Sequence, residues 1–186
     1  MNLIECRRLG PVDAPVFATL RLRGLHEHPN AFGEDAAEFV ATPIETHREL
    51  LAPRPENAVV YGASVGSQLV GIGGLYRRAG RQKTQHRAEV FGMYVKPELR
   101  RRGIGQALLQ ALIQHARGIE GLELLGIGVV TTNTSALHLY ERAGFVTWGV
   151  EPRALVVGGV YHDITHMDLN LRRKDNSATG NKEDAC

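Results

Sequence analysis

Residues 88–118 constrain the fold most, because the hydrophobic period changes within this stretch. Residues 89–95 are a short apolar run rich in β-forming residues, which Lys96 and Pro97 end, and this pattern predicts a strand. From Ile104 the apolar residues recur at helical spacing until Gly118, which predicts a helix with a glycine stop. The stretch therefore predicts a strand, a basic loop, a glycine-bearing turn and a helix.

The junction between this strand and this helix is basic and glycine-rich. Its sequence is Arg100-Arg101-Arg102-Gly103-Ile104-Gly105. A helix start leaves about four backbone N–H groups unpaired and carries roughly half a positive charge. The glycines let an anion approach the backbone, and arginine provides forked donors that suit phosphate oxygens. The junction predicts a phosphate or pyrophosphate site, although a basic surface loop with two turn glycines fits the same pattern.

Two familiar phosphate motifs do not fit this junction. The NTPase loop needs Gly-Lys-Ser or Gly-Lys-Thr, and neither occurs in the chain. The dinucleotide fingerprint GxGxxG fits in part, but Leu108 stands where the third glycine or alanine belongs. That fingerprint also follows its strand in a tight turn, whereas a longer loop separates Val95 from Gly103. A nucleotide-dependent oxidoreductase thus remains an alternative that rests on the partial fingerprint alone.

A second motif follows at residues 133–145 and reads N-x-x-A-x-x-x-Y-x-x-x-G-F, with Asn133, Ala136 and Tyr140 at its first three fixed positions. The pairing of R-x-x-G-x-G with this motif resembles the GCN5-related N-acetyltransferase (GNAT) superfamily, most closely over residues 56–150. The resemblance implies an α/β (α+β) fold with a mixed, mostly antiparallel sheet of six to seven strands and helices on both faces. It also implies acetyl-CoA as the acetyl-donor cosubstrate.

The predicted strand before the basic loop carries the candidate chemistry. Alternation places Glu89, Phe91, Met93 and Val95 on one face. A carboxylate beside apolar neighbours has a raised pKa and can accept a proton from an ammonium group. The resemblance implies that Glu89 is the general base; a glutamate paired with Arg87 is the alternative.

The resemblance assigns further roles by position. Tyr140 would protonate the leaving coenzyme A thiolate, although an aromatic residue that only anchors its helix to the sheet is the alternative. The backbone of Met93 and Val95 would bind the pantetheine arm and the acetyl carbonyl, with the Met93 N–H as oxyanion donor. The cofactor-binding set is therefore Met93, Val95, Arg100, Arg101, Arg102, Gly103, Ile104, Gly105, Asn133, Ala136 and Tyr140.

Other local patterns give further expectations. Asp13 is expected to cap a first helix, and residues 42–45 read as a capping box for another. Strands are expected at 58–65 and 68–76, joined as a hairpin, and at 122–130, 145–150, 153–157 and 160–171. The carboxylates of Glu34, Asp35 and Glu38 would attract a cationic amine, unless they belong to a solvated helix face.

Length and composition limit the alternatives. With 186 residues we expect one domain over 1–171 and a disordered tail over 172–186. A net charge of +2 does not favour nucleic acid as a partner, and no apolar run approaches the ~20 residues that span a bilayer. His162 and His166 would lie about 13 Å apart on a strand, so we expect no metal. The two cysteines fit no disulfide or metal pattern, which favours the cytoplasm.

The sequence thus predicts an acetyl-CoA-dependent N-acyltransferase (EC 2.3.1.-). It would acetylate a primary amine of a small molecule or peptide by direct attack, since no cysteine or serine lies in a recognisable nucleophile setting. A non-catalytic acyl-CoA-binding or sensor module is the main alternative. An exposed edge strand near the C-terminus would permit a homodimer.

Overall fold

The computed structural model describes residues 3–53, 58–77 and 82–172. In these residues the strands are β1 Ile4–Arg8, β2 Ala58–Val65, β3 Gln68–Arg77, β4 Arg87–Val95, β5 Leu124–Val130, β6 Val146–Val157 and β7 Val160–Asn170. The α-helices are α1 Ala14–Glu27, α2 Ala36–Ala41, α3 Ile44–Leu51, α4 Ile104–Arg117 and α5 Thr134–Arg142. From position 173 onward the predicted C-terminal tail lies outside the described residues.

One sheet of seven strands runs through the described residues in the order β1-β2-β3-β4-β5-β7-β6. All neighbouring strands pair antiparallel except β4 and β5, which are parallel. Helices pack on both faces. Phe17 of α1 and Leu51 of α3 join one core cluster, while Leu112 of α4 and Tyr140 of α5 join another. The predicted fold class, a mostly antiparallel mixed sheet with helices on both faces, is confirmed.

Strand β4 contains a bulge that simple alternation did not predict. Gly74 of β3 pairs with Phe91, but Ile72 pairs with Tyr94, so β4 has one residue more than β3 in this interval. Gly92 lies inside the bulge with φ +64°, a conformation that glycine adopts at little cost.

The bulge divides four residues that alternation had placed together: Glu89, Phe91, Met93 and Val95. Phe91 packs against the cluster that contains α1, and Glu89 shares its side of the sheet because regular pairing joins the two positions. Met93 and Val95 pack instead against the cluster that contains the first turns of α4. The prediction of one common face is therefore wrong, because a bulge reverses the side on which later residues point.

Three other local predictions also need correction. Asp13 does not cap α1; its carboxylate accepts hydrogen bonds from Arg7 and from the Gly10 N–H. The expected capping box before α3 is absent, because Pro43 holds the cap position and no side chain caps that helix. The predicted strands 145–150 and 153–157 form one strand, β6, whose pairing register shifts between Glu151 and Leu155.

Candidate active site

A wedge opens in the sheet where β4 leaves β5. The two strands pair over a short interval, which begins with Arg87 opposite Leu124 and ends with Glu89 opposite Gly126. Beyond that point β4 continues to Val95 beside β3, while β5 continues beside β7. A group that enters this wedge would meet backbone N–H and C=O groups that the neighbouring strand has released. The predicted binding residues Met93 and Val95 lie on the β4 side of the wedge.

The N-terminus of α4 is shaped to receive an anion. Gly103 is the residue before the helix and has φ +80°, and no side chain caps the first turn. A Cβ added to Gly103 would meet no atom within 4 Å, which leaves the approach open. Arg101, with φ +59°, is one of two non-glycine residues with positive φ in the described chain. The helix start therefore offers several backbone N–H groups and a positive dipole end to a phosphate.

The three arginines of this loop differ in their surroundings. Arg101 and Arg102 are exposed, and neither side chain has a hydrogen bond or ion pair to another described residue. Arg100 is already engaged: its Nε donates to the Val95 carbonyl at 2.9 Å, and its Nη2 lies 2.7 Å from Nε2 of His28. Arg101 and Arg102 are thus placed to bind phosphate oxygens, while Arg100 joins the loop to β4 and to the end of α1.

The second motif forms α5 on the other side of the wedge. The Asn133 Oδ1 accepts a hydrogen bond from the Ala136 N–H at 3.2 Å and caps this helix. Tyr140 is buried, with its ring packed edge-on against Phe145 at 5.7 Å between centroids. Burial raises the pKa of the Tyr140 hydroxyl well above its ordinary value. The phenol therefore keeps its proton at neutral pH, as a proton donor must.

Glu89 lies where the pairing of β4 with β5 ends. A Cβ built on Gly126 would come within 2.8 Å of Glu89 Oε1, so only glycine at that position leaves room for the carboxylate. Arg87 donates to both oxygens of Asp168 at 2.9 Å on the same side of the sheet. Gly126 and Asp168 are functional candidates that the sequence analysis missed. Glycines at alternate positions of an otherwise apolar strand were the available signal.

The segment between α1 and α2 borders the same side of the sheet. Arg21 is buried and binds Glu34 at 3.0 Å, and its guanidinium stacks 4.3 Å from the Phe32 ring centre. Its Nη1 is a buried donor without a hydrogen-bond partner among the described residues, and it points toward the bulge at Gly92. Asp35 caps α2 by accepting from the Ala37 N–H. Glu34 and Asp35, two of the three residues whose carboxylates were expected to attract an amine, therefore already have partners within the protein.

Neither a metal centre nor a membrane span was found in the ranges that the structure describes. No group of three or more His, Cys, Asp or Glu side chains in these residues is arranged to hold a metal ion. Within the same ranges, no helix is long and apolar enough to cross a membrane.

The wedge and the α4 N-terminus suit an acyl thioester of coenzyme A. The uncapped helix start, the open space at Gly103 and the two exposed arginines match a pyrophosphate. The wedge offers backbone groups to an amide-containing arm, such as pantetheine. The residues present therefore fit acetyl-CoA.

Known proteins resemble the chain over this region. The profile of the Acetyltransferase (GNAT) family matches residues 24–145. N-alpha-acetyltransferase RimI of Mycobacterium tuberculosis is 32% identical over 133 residues, which cover 72% of this chain and 74% of that protein. The L-methionine sulfoximine/L-methionine sulfone acetyltransferase of Pseudomonas paraeruginosa is 37% identical over 79 residues, covering 42% of this chain and 45% of that protein. The latter match thus spans less than half of its relative.

A solved structure shares the fold. The structure of yncA from Salmonella typhimurium, determined with its cofactor acetyl-CoA, superimposes with a TM-score of 0.79. The identity is 20%, and the superposition covers 99% of each chain. At that identity the similarity shows the arrangement of the helices and strands alone.

Proposed function

The chain belongs to the acetyltransferase (GNAT) family, and we propose that it transfers an acetyl group from acetyl-CoA to a primary amine of a small molecule or peptide. The observation that carries the proposal is the wedge between β4 and β5, which opens beside the uncapped N-terminus of α4. This arrangement combines a slot for an extended arm with an anion site at one end. A dinucleotide oxidoreductase would need neither the bulge nor the wedge.

We propose binding roles for the groups around the wedge. The N–H groups at the start of α4, from Ile104 and Gly105, and the side chains of Arg101 and Arg102 would hold the pyrophosphate. The backbone of Met93 and Val95 would hold the arm and the acetyl carbonyl, with the Met93 N–H stabilising negative charge on the carbonyl oxygen. Asn133 and Ala136 would border the arm from α5.

The catalytic roles need a proton acceptor and a proton donor. Acetyl-CoA supplies an activated acyl group, which the amine nitrogen attacks directly. Glu89 accepts a proton from that nitrogen, because its carboxylate lies at the edge of the wedge above Gly126. Tyr140 donates a proton to the departing thiolate, because burial keeps its hydroxyl protonated.

The names of two relatives support one acceptor class. RimI is named for N-alpha acetylation and the other relative for acetylation of an amino acid analogue, so we propose an amino acid or a peptide N-terminus as acceptor. We also propose a cytoplasmic location without nucleic acid or membrane partners, which localising the tagged protein in its own cells would test. A homodimer through the edge strand β6 is a further proposal, supported by the exposed Val146, Trp148 and Val150, and sedimentation would test it.

Release of free thiol tests the activity. Purified protein is mixed with acetyl-CoA and each of a panel of amines: the twenty L-amino acids, methionine sulfoximine, spermidine and a peptide with a free N-terminus. We expect thiol release with at least one amine, matched by an N-acetylated product in mass spectrometry, and strong loss in the Glu89→Gln variant. Binding of acetyl-CoA without thiol release from any amine would favour the acyl-CoA-binding module instead.

A further inference from the structure

Strand β5 has glycine at two alternate positions, and a titratable side chain lies over each of them. A Cβ on Gly126 would collide with the Glu89 carboxylate, and a Cβ on Gly128 would lie 3.0 Å from Cγ2 of Ile164 and 3.7 Å from Nδ1 of His166. Gly126 and Gly128 point to the same side of the sheet and lie about 7 Å apart along the strand. This side of β5 therefore has no side chain of its own at two positions, with the Glu89 carboxylate beside Gly126 and with Ile164 and the His166 imidazole beside Gly128.

His166 is held in one orientation by two neighbours on β6. Its Nε2 lies 2.9 Å from Oε2 of Glu151, and its ring stacks on Trp148 with 5.1 Å between centroids and an interplanar angle of 24°. An ionised carboxylate only accepts hydrogen bonds, so Nε2 carries the proton of a neutral ring and Nδ1 is left as the acceptor. The acceptor nitrogen is the one that faces Gly128.

Gly128 lies beside the wedge. The pairing of β5 with β4 ends at Gly126, and Gly128 is two residues farther along, where the strands have diverged. Gly128 is exposed, although its neighbours Ile127 and Val129 on the other side of the strand are buried. An amine that reaches the wedge from this side would therefore pass Gly128 and the Nδ1 of His166 beside it.

The amine nitrogen loses two protons in two successive steps. A primary amine arrives mainly as an ammonium group with three protons, and one remains in the product amide. One proton is lost before attack, because an ammonium group has no lone pair, and the second is lost once the nitrogen–carbon bond has formed. Tyr140 gives a proton to the sulfur as the carbon–sulfur bond breaks, so one of the two nitrogen protons restores Tyr140 and the other passes to solvent. A second base near the nitrogen would accept one of the two protons without waiting for Glu89 to release the other.

We propose that His166 is a second catalytic base, whose Nδ1 accepts one of these protons while Glu89 accepts the other. This inference rests on the proposed function. When Nδ1 accepts a proton, the Nε2–H group can keep its hydrogen bond to Glu151, whose Oε2 lies 2.9 Å away. In a single subunit the imidazole is about one-third exposed and the Glu151 carboxylate is more exposed, so the proton has a route from Nδ1 to water.

The test uses the best acceptor from the thiol-release panel and compares His166→Gln with the wild type. We expect kcat to fall by about a hundredfold, within the usual range for loss of a general base, while acetyl-CoA affinity is unchanged. His138→Gln is the matched control, because His138 also contacts a glutamate, Glu141, but lies on the exposed surface of α5. Its kcat should equal that of the wild type.

A second variant separates catalysis from pocket shape. In His166→Ala, added imidazole should restore thiol release in proportion to its concentration, and the same imidazole should not restore Glu89→Gln. A kcat within twofold of the wild type for His166→Gln would overturn the proposal, as would a loss that appears only in the acceptor KM and is not rescued. Absence of thiol release from the wild type would instead contradict the proposed function.

Discussion

Substitution of Gly126 by alanine should disturb catalysis more than stability. The new Cβ would lie 2.8 Å from Oε1 and 2.9 Å from Cδ of Glu89, well inside ordinary contact distance. Glu89 must then retreat by roughly 1 Å to restore van der Waals spacing. A displacement of this size in a catalytic group costs about a hundredfold in rate, so we expect kcat to fall by that order.

The stability cost should be small for a physical reason. The colliding atoms are the end of a flexible side chain, and alanine in a strand interior regains about 0.5–1 kcal/mol that glycine forfeits. The melting temperature should change by less than about 4 °C, measured by calorimetry. Gly10→Ala is the control: it adds a Cβ with no atom within 4 Å, and both kcat and melting temperature should remain at wild-type values.

A double-mutant cycle decides whether Gly126 acts through Glu89. In a Glu89→Gln background the carboxylate that Gly126 accommodates is already lost as a base, so adding Gly126→Ala should lower kcat only slightly further. Steady-state thiol release from the four proteins gives the coupling. If Gly126→Ala lowered kcat by the same factor with and without Glu89, the placement of Glu89 would not be the reason for this glycine.

Three other predictions concern the donor, the phosphate site and acid stability. Tyr140→Phe should lower kcat far more than acetyl-CoA affinity, measured by thiol release and titration calorimetry, and equal losses in both would make Tyr140 structural. A double variant with Arg101→Ala and Arg102→Ala should bind acetyl-CoA more weakly, and its binding should depend less on salt concentration. An unchanged dissociation constant would contradict the phosphate site. Burial and the positive charge of Arg100 lower the pKa of His28 in the folded protein. The contribution of neutral His28 to the free energy of unfolding is therefore fully present above its unfolded pKa of about 6.5, and it is lost as the pH falls below that value. Denaturant titrations should show a shallower acid decline in His28→Gln, and an identical decline would exclude His28 as a cause.

The sequence predicted the parts of the fold that local chemistry determines. The change of period near Ile104 located α4, Gly118 marked its end, and the glycine pair at 158–159 marked the β6–β7 turn. The two motifs identified the family because they join residue types to a fixed order and spacing. These features depend on residues that are neighbours in the chain, so they can be predicted from the sequence alone.

The remainder of the site depends on contacts between distant segments. The bulge at Gly92 is defined by pairing with β3, and the placement of Glu89 over Gly126 by pairing with β5. The Arg100–His28 contact joins residues 72 positions apart. In the sequence, His166 is one polar residue of an alternating strand. Its position beside Gly128 is apparent only in the folded structure. The periodicity of a single sequence does not show which residues of two strands lie opposite each other, so none of these contacts could be predicted from it.

Ligand-dependent melting tests the central claim most directly, because it requires no knowledge of the acceptor. The protein is heated alone and with acetyl-CoA, NADPH or ATP, each at about 100 times an expected dissociation constant. Ligand at that level adds about 2.7 kcal/mol, which raises the melting temperature by roughly 5–11 °C for a chain of this size. We expect this rise with acetyl-CoA alone. A rise with NADPH, or none with acetyl-CoA, would contradict the wedge between β4 and β5 as an acetyl-CoA site.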